Sequence, residues 1–128
     1  MERHIDLLGR LASLWGALVM LAGVSLLLLG GGALAELLDP VGQSVGLAAG
    51  LTAAAFATLG GFAVVWGALH LLAAKWLKQR KALGRMLMLA LALTNLPVLP
   101  FGTALGGYAL WALLTNDGRR LFEPTATV

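Results

Sequence analysis

Three long apolar runs limit what this chain can fold into. Residues 11–32 and 45–72 contain no Asp, Glu, Lys or Arg, and a third uncharged run extends from 86 to 116. A helix that crosses about 30 Å of hydrocarbon needs about 20 mostly apolar residues. Because 59% of the 128 residues are hydrophobic and only 12% are charged, the core of a water-soluble protein of this length is too small to bury all the hydrophobic residues. The sequence therefore predicts an all-α integral membrane protein.

The third run is divided near its middle by proline. Pro97 and Pro100, followed by Gly102, interrupt a helix, whereas Pro100 suits the first turn of a new one. We therefore expect a helical hairpin whose last helix is only about 24 Å long, with its turn near or just below the headgroups. The predicted helices are 11–32, 45–74, 78–96 and 101–116, packed as a four-helix bundle in a single domain, 1–128.

The distribution of positive charge predicts the orientation of these helices. The nine Lys and Arg residues lie before the first helix, between the second and third, or after the fourth: Arg3 and Arg10; Lys75, Lys78, Arg80, Lys81 and Arg85; Arg119 and Arg120. Since Lys and Arg remain in the cytoplasm, the N-terminus 1–10, the loop 75–85 and the tail 117–128 are predicted there. The loop 33–44 and the proline turn 97–102 are expected on the outer side.

The N-terminal run also permits a second interpretation. Residues 33–35, Ala-Leu-Ala, precede Glu36 and resemble a signal-peptidase site. We favour a retained span, because the run is about twice as long as the apolar core of a typical signal peptide. Residues 36–40 are then expected to form a short interfacial helix that Pro40 closes.

One segment resembles a known family. Residues 100–114 read PFGTALGGYALWALL, and Asn95 and Pro97 precede them. This resembles the C-terminal hairpin, approximately N-x-P-x-G-T-A-L-G-x-Y-x-L-W-x-L-L, of small uncharacterised bacterial four-span membrane proteins. The openings around His4 and Trp15 are also similar, although Pro97 makes this turn richer in proline than the pattern. The resemblance implies four crossings of a bacterial inner membrane and no particular reaction.

Few residues in the predicted spans could take part in catalysis or in binding a cofactor or metal. The spans lack a buried charge and the chain lacks cysteine, so we expect no enzyme, no cofactor and no metal site. The net charge of +3 lies at helix ends, which argues against nucleic acid as a partner. His70, close to the cytoplasmic end of its helix, is either a ligand, proton relay or pH sensor, or a neutral interfacial imidazole. We favour the neutral imidazole.

Small residues recur at helical spacing and predict packing faces. In lipid, helices associate where small residues let their backbones approach. The candidate packing residues lie in the second and fourth helices: Gly46, Gly50, Ala54, Ala57, Gly61, Gly102 and Gly106. Two uses remain open, namely packing within one bundle and packing against a second protomer.

Two polar sets are further candidates. Thr94, Asn95 and Thr103 lie around the proline turn, near the outer leaflet, and together with His70 they define a candidate polar site. The simpler interpretation is that Asn95 caps the broken backbone and Thr103 bonds to its own helix. The five residues Lys75, Lys78, Arg80, Lys81 and Arg85 can bind anionic lipid headgroups, although the topology rule alone requires most of them.

Two function classes therefore stay open. The first is a structural or assembly protein that self-associates, or packs with a partner membrane complex, through its small-residue faces. The second is a homo-oligomeric channel or facilitator, which requires a polar stripe that the spans barely provide.

Overall fold

Helices account for nearly all of the described chain. The computed structural model describes residues 1–38 and 46–123, and within them it contains about 88% helix and no strand. The helices are α1, Glu2–Leu37; α2, Gly46–Lys78; α3, Ala82–Asn95; α4, Phe101–Leu114; and α5, Asn116–Arg120. The predicted all-α class is confirmed.

α1 is longer at both ends than the apolar run within it. It begins at Glu2, where a carboxylate in the first turn interacts favourably with the helix dipole, so residues 2–10 are helical rather than a separate N-terminal segment. It ends at Leu37, so the predicted end at residue 32 and the predicted loop start at 33 are wrong. The remainder of the expected outer loop, 39–44, lies outside the described residues.

A three-residue turn separates α2 from α3, and the predicted helix start at 78 is wrong. The amide of Arg80 donates to Leu77 O at 3.0 Å, and that of Lys81 donates to Trp76 O at 3.0 Å. This pair of bonds is a Schellman motif, which requires a left-handed residue at its centre. Arg80 supplies it with φ of 55°, in a position that glycine usually occupies.

The proline turn lies where the sequence predicted. α3 ends at Asn95 because Pro97 has no amide hydrogen to continue the helical bonding, and α4 begins at Phe101, directly after Pro100. α4 ends at Leu114, two residues earlier than expected. The backbone of Thr115 is extended there, with ψ of 142°, and its hydroxyl bonds to Trp111 O at 2.6 Å.

The helices divide into two compact units, which we describe separately. Unit 1 comprises Met1–Gly16 and the chain from Leu69 onward, and unit 2 comprises Ala17–Ala68. Of the apolar side chains buried in the described residues, all except Ala49 belong to unit 1: Ile5, Leu8, Ala12, Ala73, Ala74, Leu77, Met88, Leu91, Ala92, Ala109, Ala112, Leu113 and Phe122. Unit 1 therefore has a side-chain core, whereas in the described part of unit 2 Ala49 is the only buried apolar side chain.

Unit 2 is an antiparallel helix pair whose backbones touch at glycines. A Cβ added at Gly23 would lie 2.7 Å from the amide nitrogen of Val64 and 2.8 Å from the carbonyl oxygen of Gly60. One added at Gly60 would lie 2.8 Å from the carbonyl oxygen of Gly23. Further along, a Cβ at Gly30 would lie 3.3 Å from the carbonyl oxygen of Ala53. The pair is held by backbone proximity in place of a core.

Two helices in the described part of the chain, α1 and α2, are long and apolar enough to cross a membrane. In the most apolar window of each, only 11% of the residues are buried. α3 and α4 have 14 residues each, which corresponds to about 21 Å. The expectation of four crossings therefore stays a prediction.

The glycine contact in unit 2 predicts a sharp difference between two positions of α1. Gly23→Ala places a methyl group against backbone atoms of α2, and we expect it to lower stability by about 1–3 kcal/mol, as overpacking does. Gly31→Ala is the matched control, because nothing lies within 4 Å of its Cβ. The thermal midpoint of helix unfolding should fall for Gly23→Ala and stay equal or rise for Gly31→Ala. Equal midpoints for both variants would contradict the close contact.

Candidate functional site

A buried hydrogen bond between α2 and the end of α3 is the most chemically distinctive feature of unit 1. The side chain of His70 is fully buried and that of Asn95 is 2% exposed. Nδ2 of Asn95 lies 2.6 Å from Nε2 of His70. In this orientation of the amide, its nitrogen donates to Nε2, and the ring then carries its proton on Nδ1.

The pair leaves one buried acceptor open. Oδ1 of Asn95 is buried and receives no hydrogen bond from a described residue. Rotation of the amide by 180° would present this oxygen to a protonated Nε2, so Asn95 can pair with either ring tautomer. In the described residues no group of three His, Asp or Glu side chains converges as a metal site would require.

The structure brings together two of the four residues of the candidate polar site. His70, expected near the cytoplasmic end of its helix, and Asn95, expected near the outer leaflet, are in direct contact. Asn95 therefore directs its amide nitrogen to α2 and not to the broken backbone. The hydroxyl of Thr94 bonds to Ala90 O and Leu91 O, both at 3.0 Å, within its own helix. That of Thr103 donates to Leu96 O at 2.6 Å and so connects the start of α4 to the end of α3.

The candidate packing residues separate into used and unused positions. A Cβ at Gly102 would lie 2.6 Å from Asn95 O, and one at Gly106 would lie 2.6 Å from Ala92 O, so α3 and α4 meet there. Ala57 lies in the contact with α1, because its amide nitrogen is 3.3 Å from a Cβ built at Gly30. In contrast, no described residue comes within 4 Å of a Cβ at Gly46 or Gly61, while Gly50 is half-buried and Ala54 is exposed.

The basic loop, residues 75–85, contains five Lys and Arg residues. Three of them bond to other residues of unit 1. Arg80 forms an ion pair with Asp6 at 3.1 Å. Nζ of Lys78 lies 3.3 Å from the hydroxyl of Ser13, and Nε of Arg85 donates to Leu113 O at 3.2 Å, at the C-terminal end of α4. Lys75 and Lys81 are exposed.

An aromatic cluster joins the N-terminus to α4, and sequence analysis missed it. Nδ1 of His4 lies 3.0 Å from the hydroxyl of Tyr108. Its ring meets that of Trp111 edge-on with centroids 5.4 Å apart, and Tyr108 stacks on Trp111 at 6.0 Å. The residues are more than 100 positions apart, and neither helical spacing nor charge pattern links them.

The buried pair predicts energetic coupling between α2 and α3. Asn95→Leu removes the donor to Nε2, and His70→Leu removes the acceptor for Nδ2, so each should lower the free energy of unfolding by about 1–3 kcal/mol. The double variant should lose less than the sum of the two, by about 1 kcal/mol or more. Chemical denaturation of the four proteins measures the coupling. Thr94→Val, which alters only a bond within α3, is the control, and additive losses would contradict the pairing.

Comparisons with known proteins assign no family. The chain matches no protein-family model, no curated protein and no solved structure. The resemblance to small bacterial four-span proteins therefore stays a prediction that rests on the residues of the proline hairpin.

Proposed function

We propose that this chain is an integral membrane protein of the bacterial inner membrane that acts by helix assembly. α1 and α2 cross the bilayer, both termini lie in the cytoplasm, and a free face of α2 packs against a second copy of the chain. The proposal includes no reaction, no cofactor and no nucleic acid.

The exposed apolar surface of α1 and α2 supports a membrane location. Large hydrophobic side chains are exposed along both helices of unit 2: Leu18, Leu21, Val24, Leu27, Leu28, Leu29, Leu34, Leu47, Leu51, Leu59, Phe62 and Val65. Soluble monomers rarely expose a continuous apolar area of this extent. Hydrocarbon covers such a surface without cost, and unit 2 has no side-chain core to supply stability instead.

Charge supports the orientation. Every Lys and Arg lies in 1–10, 75–85 or 119–120, and the opposite ends of α1 and α2 carry none. Cytoplasmic retention of Lys and Arg places all three segments on one side. Lys75, Lys81, Arg119 and Arg120 are exposed and available to anionic lipid headgroups.

The observation that carries the assembly proposal is a face of small residues on α2, formed by Ala54 and Gly61. We call it the spare face. The contact with α1 uses Ala53 and Gly60. Ala54 and Gly61, each one residue further along, lie about 100° around the helix from that contact. A Cβ at Gly61 would meet nothing within 4 Å, and Ala54 is exposed. In lipid, a face of this kind allows a second backbone to approach closely.

The channel alternative gains little from the polar side chains of unit 2. The hydroxyl of Ser25 bonds to Leu21 O at 3.0 Å and that of Thr58 to Ala54 O at 2.8 Å, each within its own helix. A hydroxyl that bonds to its own helix is less available to an ion or solute in a pore. Selective channels instead present rings of carbonyls or charges to the pore. Assembly is therefore the function that we propose.

A bulky residue on the spare face should weaken self-association. Gly61→Ile adds a branched side chain where a second backbone would approach, without a clash inside the chain. We expect its dimer dissociation constant to rise at least about tenfold, a loss of about 1.4 kcal/mol. Sedimentation equilibrium in detergent over a range of protein-to-detergent ratios measures this constant.

Ala55→Ile is the matched control, because Ala55 is exposed and lies about 120° from Gly61 around the same helix. It should change the dissociation constant by less than about twofold. Equal weakening by both variants would contradict the choice of face. A wild-type chain that stays monomeric at every ratio would contradict self-association, and a partner that co-purifies at fixed stoichiometry would assign the face to a membrane complex.

A further inference from the structure

The α3–α4 hairpin of unit 1 has two chemically opposite ends. At its base, Lys81, Arg119 and Arg120 are exposed, and Arg85 donates to Leu113 O in the last turn of α4. At its tip, the exposed side chains are apolar: Val98 is 45% exposed, Leu99 79% and Phe101 71%. No charged residue occurs from 86 to 116.

The hairpin is also shorter than a bilayer is thick. Each helix has 14 residues and rises about 21 Å. From Arg85 to Asn95 the rise is about 15 Å, and a few residues more reach the tip. If the cations of the base lie among the headgroups, the tip ends several ångströms short of the far side of a hydrocarbon layer about 30 Å thick.

Most backbone carbonyls of the turn accept a hydrogen bond from within the hairpin. Five carbonyls of the segment 95–100 accept a hydrogen bond: Asn95 O from the Val98 amide (2.9 Å), Leu96 O from the Thr103 hydroxyl (2.6 Å), Pro97 O from the Leu99 amide (3.1 Å), Val98 O from the Thr103 amide (3.1 Å) and Pro100 O from the Ala104 amide (3.1 Å). Pro97 and Pro100 have no amide hydrogen to satisfy. A turn in water does not need internal partners, whereas a turn in hydrocarbon does, because each unsatisfied group costs several kcal/mol there.

The polar side chains near the tip bond within the protein: Thr94, although exposed, uses its hydroxyl on Ala90 O and Leu91 O. Asn95 turns its amide toward His70 and is almost fully buried, and Thr103 uses its hydroxyl on Leu96 O. Removal of these groups from the surface leaves the tip with an apolar exterior. Such an exterior matches acyl chains and offers little to the polar headgroup layer.

We propose that the α3–α4 hairpin is a re-entrant element whose tip, Val98, Leu99 and Phe101, lies among the acyl chains inside the bilayer, and that both of its helices open to the cytoplasmic side. The proposal rests on the membrane location proposed above, and it replaces the last two of the four expected crossings with one insertion from the cytoplasm. The partner of the tip is lipid hydrocarbon.

Cysteine accessibility in intact cells and in inverted vesicles tests the insertion, since the natural chain contains no cysteine. Single cysteines are introduced in three separate proteins as Leu99→Cys at the tip, Leu38→Cys after α1 and Lys81→Cys in the basic loop. All three positions are exposed. A membrane-impermeant maleimide is applied from each side, and total cysteine is counted after denaturation.

We expect Leu38→Cys to react only from outside and Lys81→Cys only from the cytoplasmic side. Leu99→Cys should react from neither side, with less than about one tenth of the labelling of the two reference positions. A bimane fluorophore attached to Leu99→Cys in reconstituted vesicles should be quenched more strongly by a lipid spin-labelled near the end of its acyl chain than by one labelled beside the headgroup. Val98→Cys and Phe101→Cys repeat the measurement if Leu99→Cys fails to accumulate.

Labelling of the tip cysteines from outside, at the level of Leu38→Cys, would overturn the re-entrant hairpin and restore four crossings while leaving the assembly proposal intact. Labelling from the cytoplasmic side would also overturn it, because the tip would then lie in water. A chain recovered in the aqueous fraction, or one whose Leu38→Cys and Lys81→Cys react from the same side, would overturn the proposed membrane topology itself.

Discussion

Close approach between helix backbones is the constraint on which both units depend. In unit 2, α1 and α2 meet where Gly23 faces Gly60. In unit 1, a Cβ at Gly84 would lie 2.6 Å from the amide nitrogen of Leu77, one at Gly106 would lie 2.6 Å from Ala92 O, and one at Gly118 would collide with Ala112 O. A side chain at any of these positions would push two backbones apart, so glycine determines where helices can touch.

Several polar side chains of unit 1 bond to other groups of the protein. The imidazole of His70 and the amide of Asn95 pair with each other, Arg85 binds the end of α4, and Thr103 bonds across the proline turn. What remains exposed is mostly apolar in the helices and charged in the basic loop. This separation is what a protein needs if one part of it lies in hydrocarbon and another among headgroups.

Sequence reasoning succeeded where one local rule determined the outcome. Proline ended α3 and started α4 near the expected residues, because the missing amide hydrogen acts whatever the surroundings. Helix ends without such a signal were predicted less accurately. The prediction missed the start of α1 at Glu2, because the charged residues of 2–10 are as compatible with a solvated tail as with a helix. Ile5 and Leu8, which the structure buries in unit 1, were the signal that was missed. The left-handed turn at Arg80 was hidden, since arginine carries no turn signal.

The sequence by itself determined the helical class, the grouping of Lys and Arg in three short segments and the break at the proline turn, because hydropathy, charge and proline act locally. Only the tertiary structure decided which small residues pack and which stay free. Gly60 and Gly61 are neighbours in sequence, yet a Cβ at Gly60 would meet α1 whereas one at Gly61 would meet no described residue within 4 Å, because successive residues of a helix point about 100° apart. It also joined His70 to Asn95 across 25 positions, a contact that no spacing rule within one helix can predict.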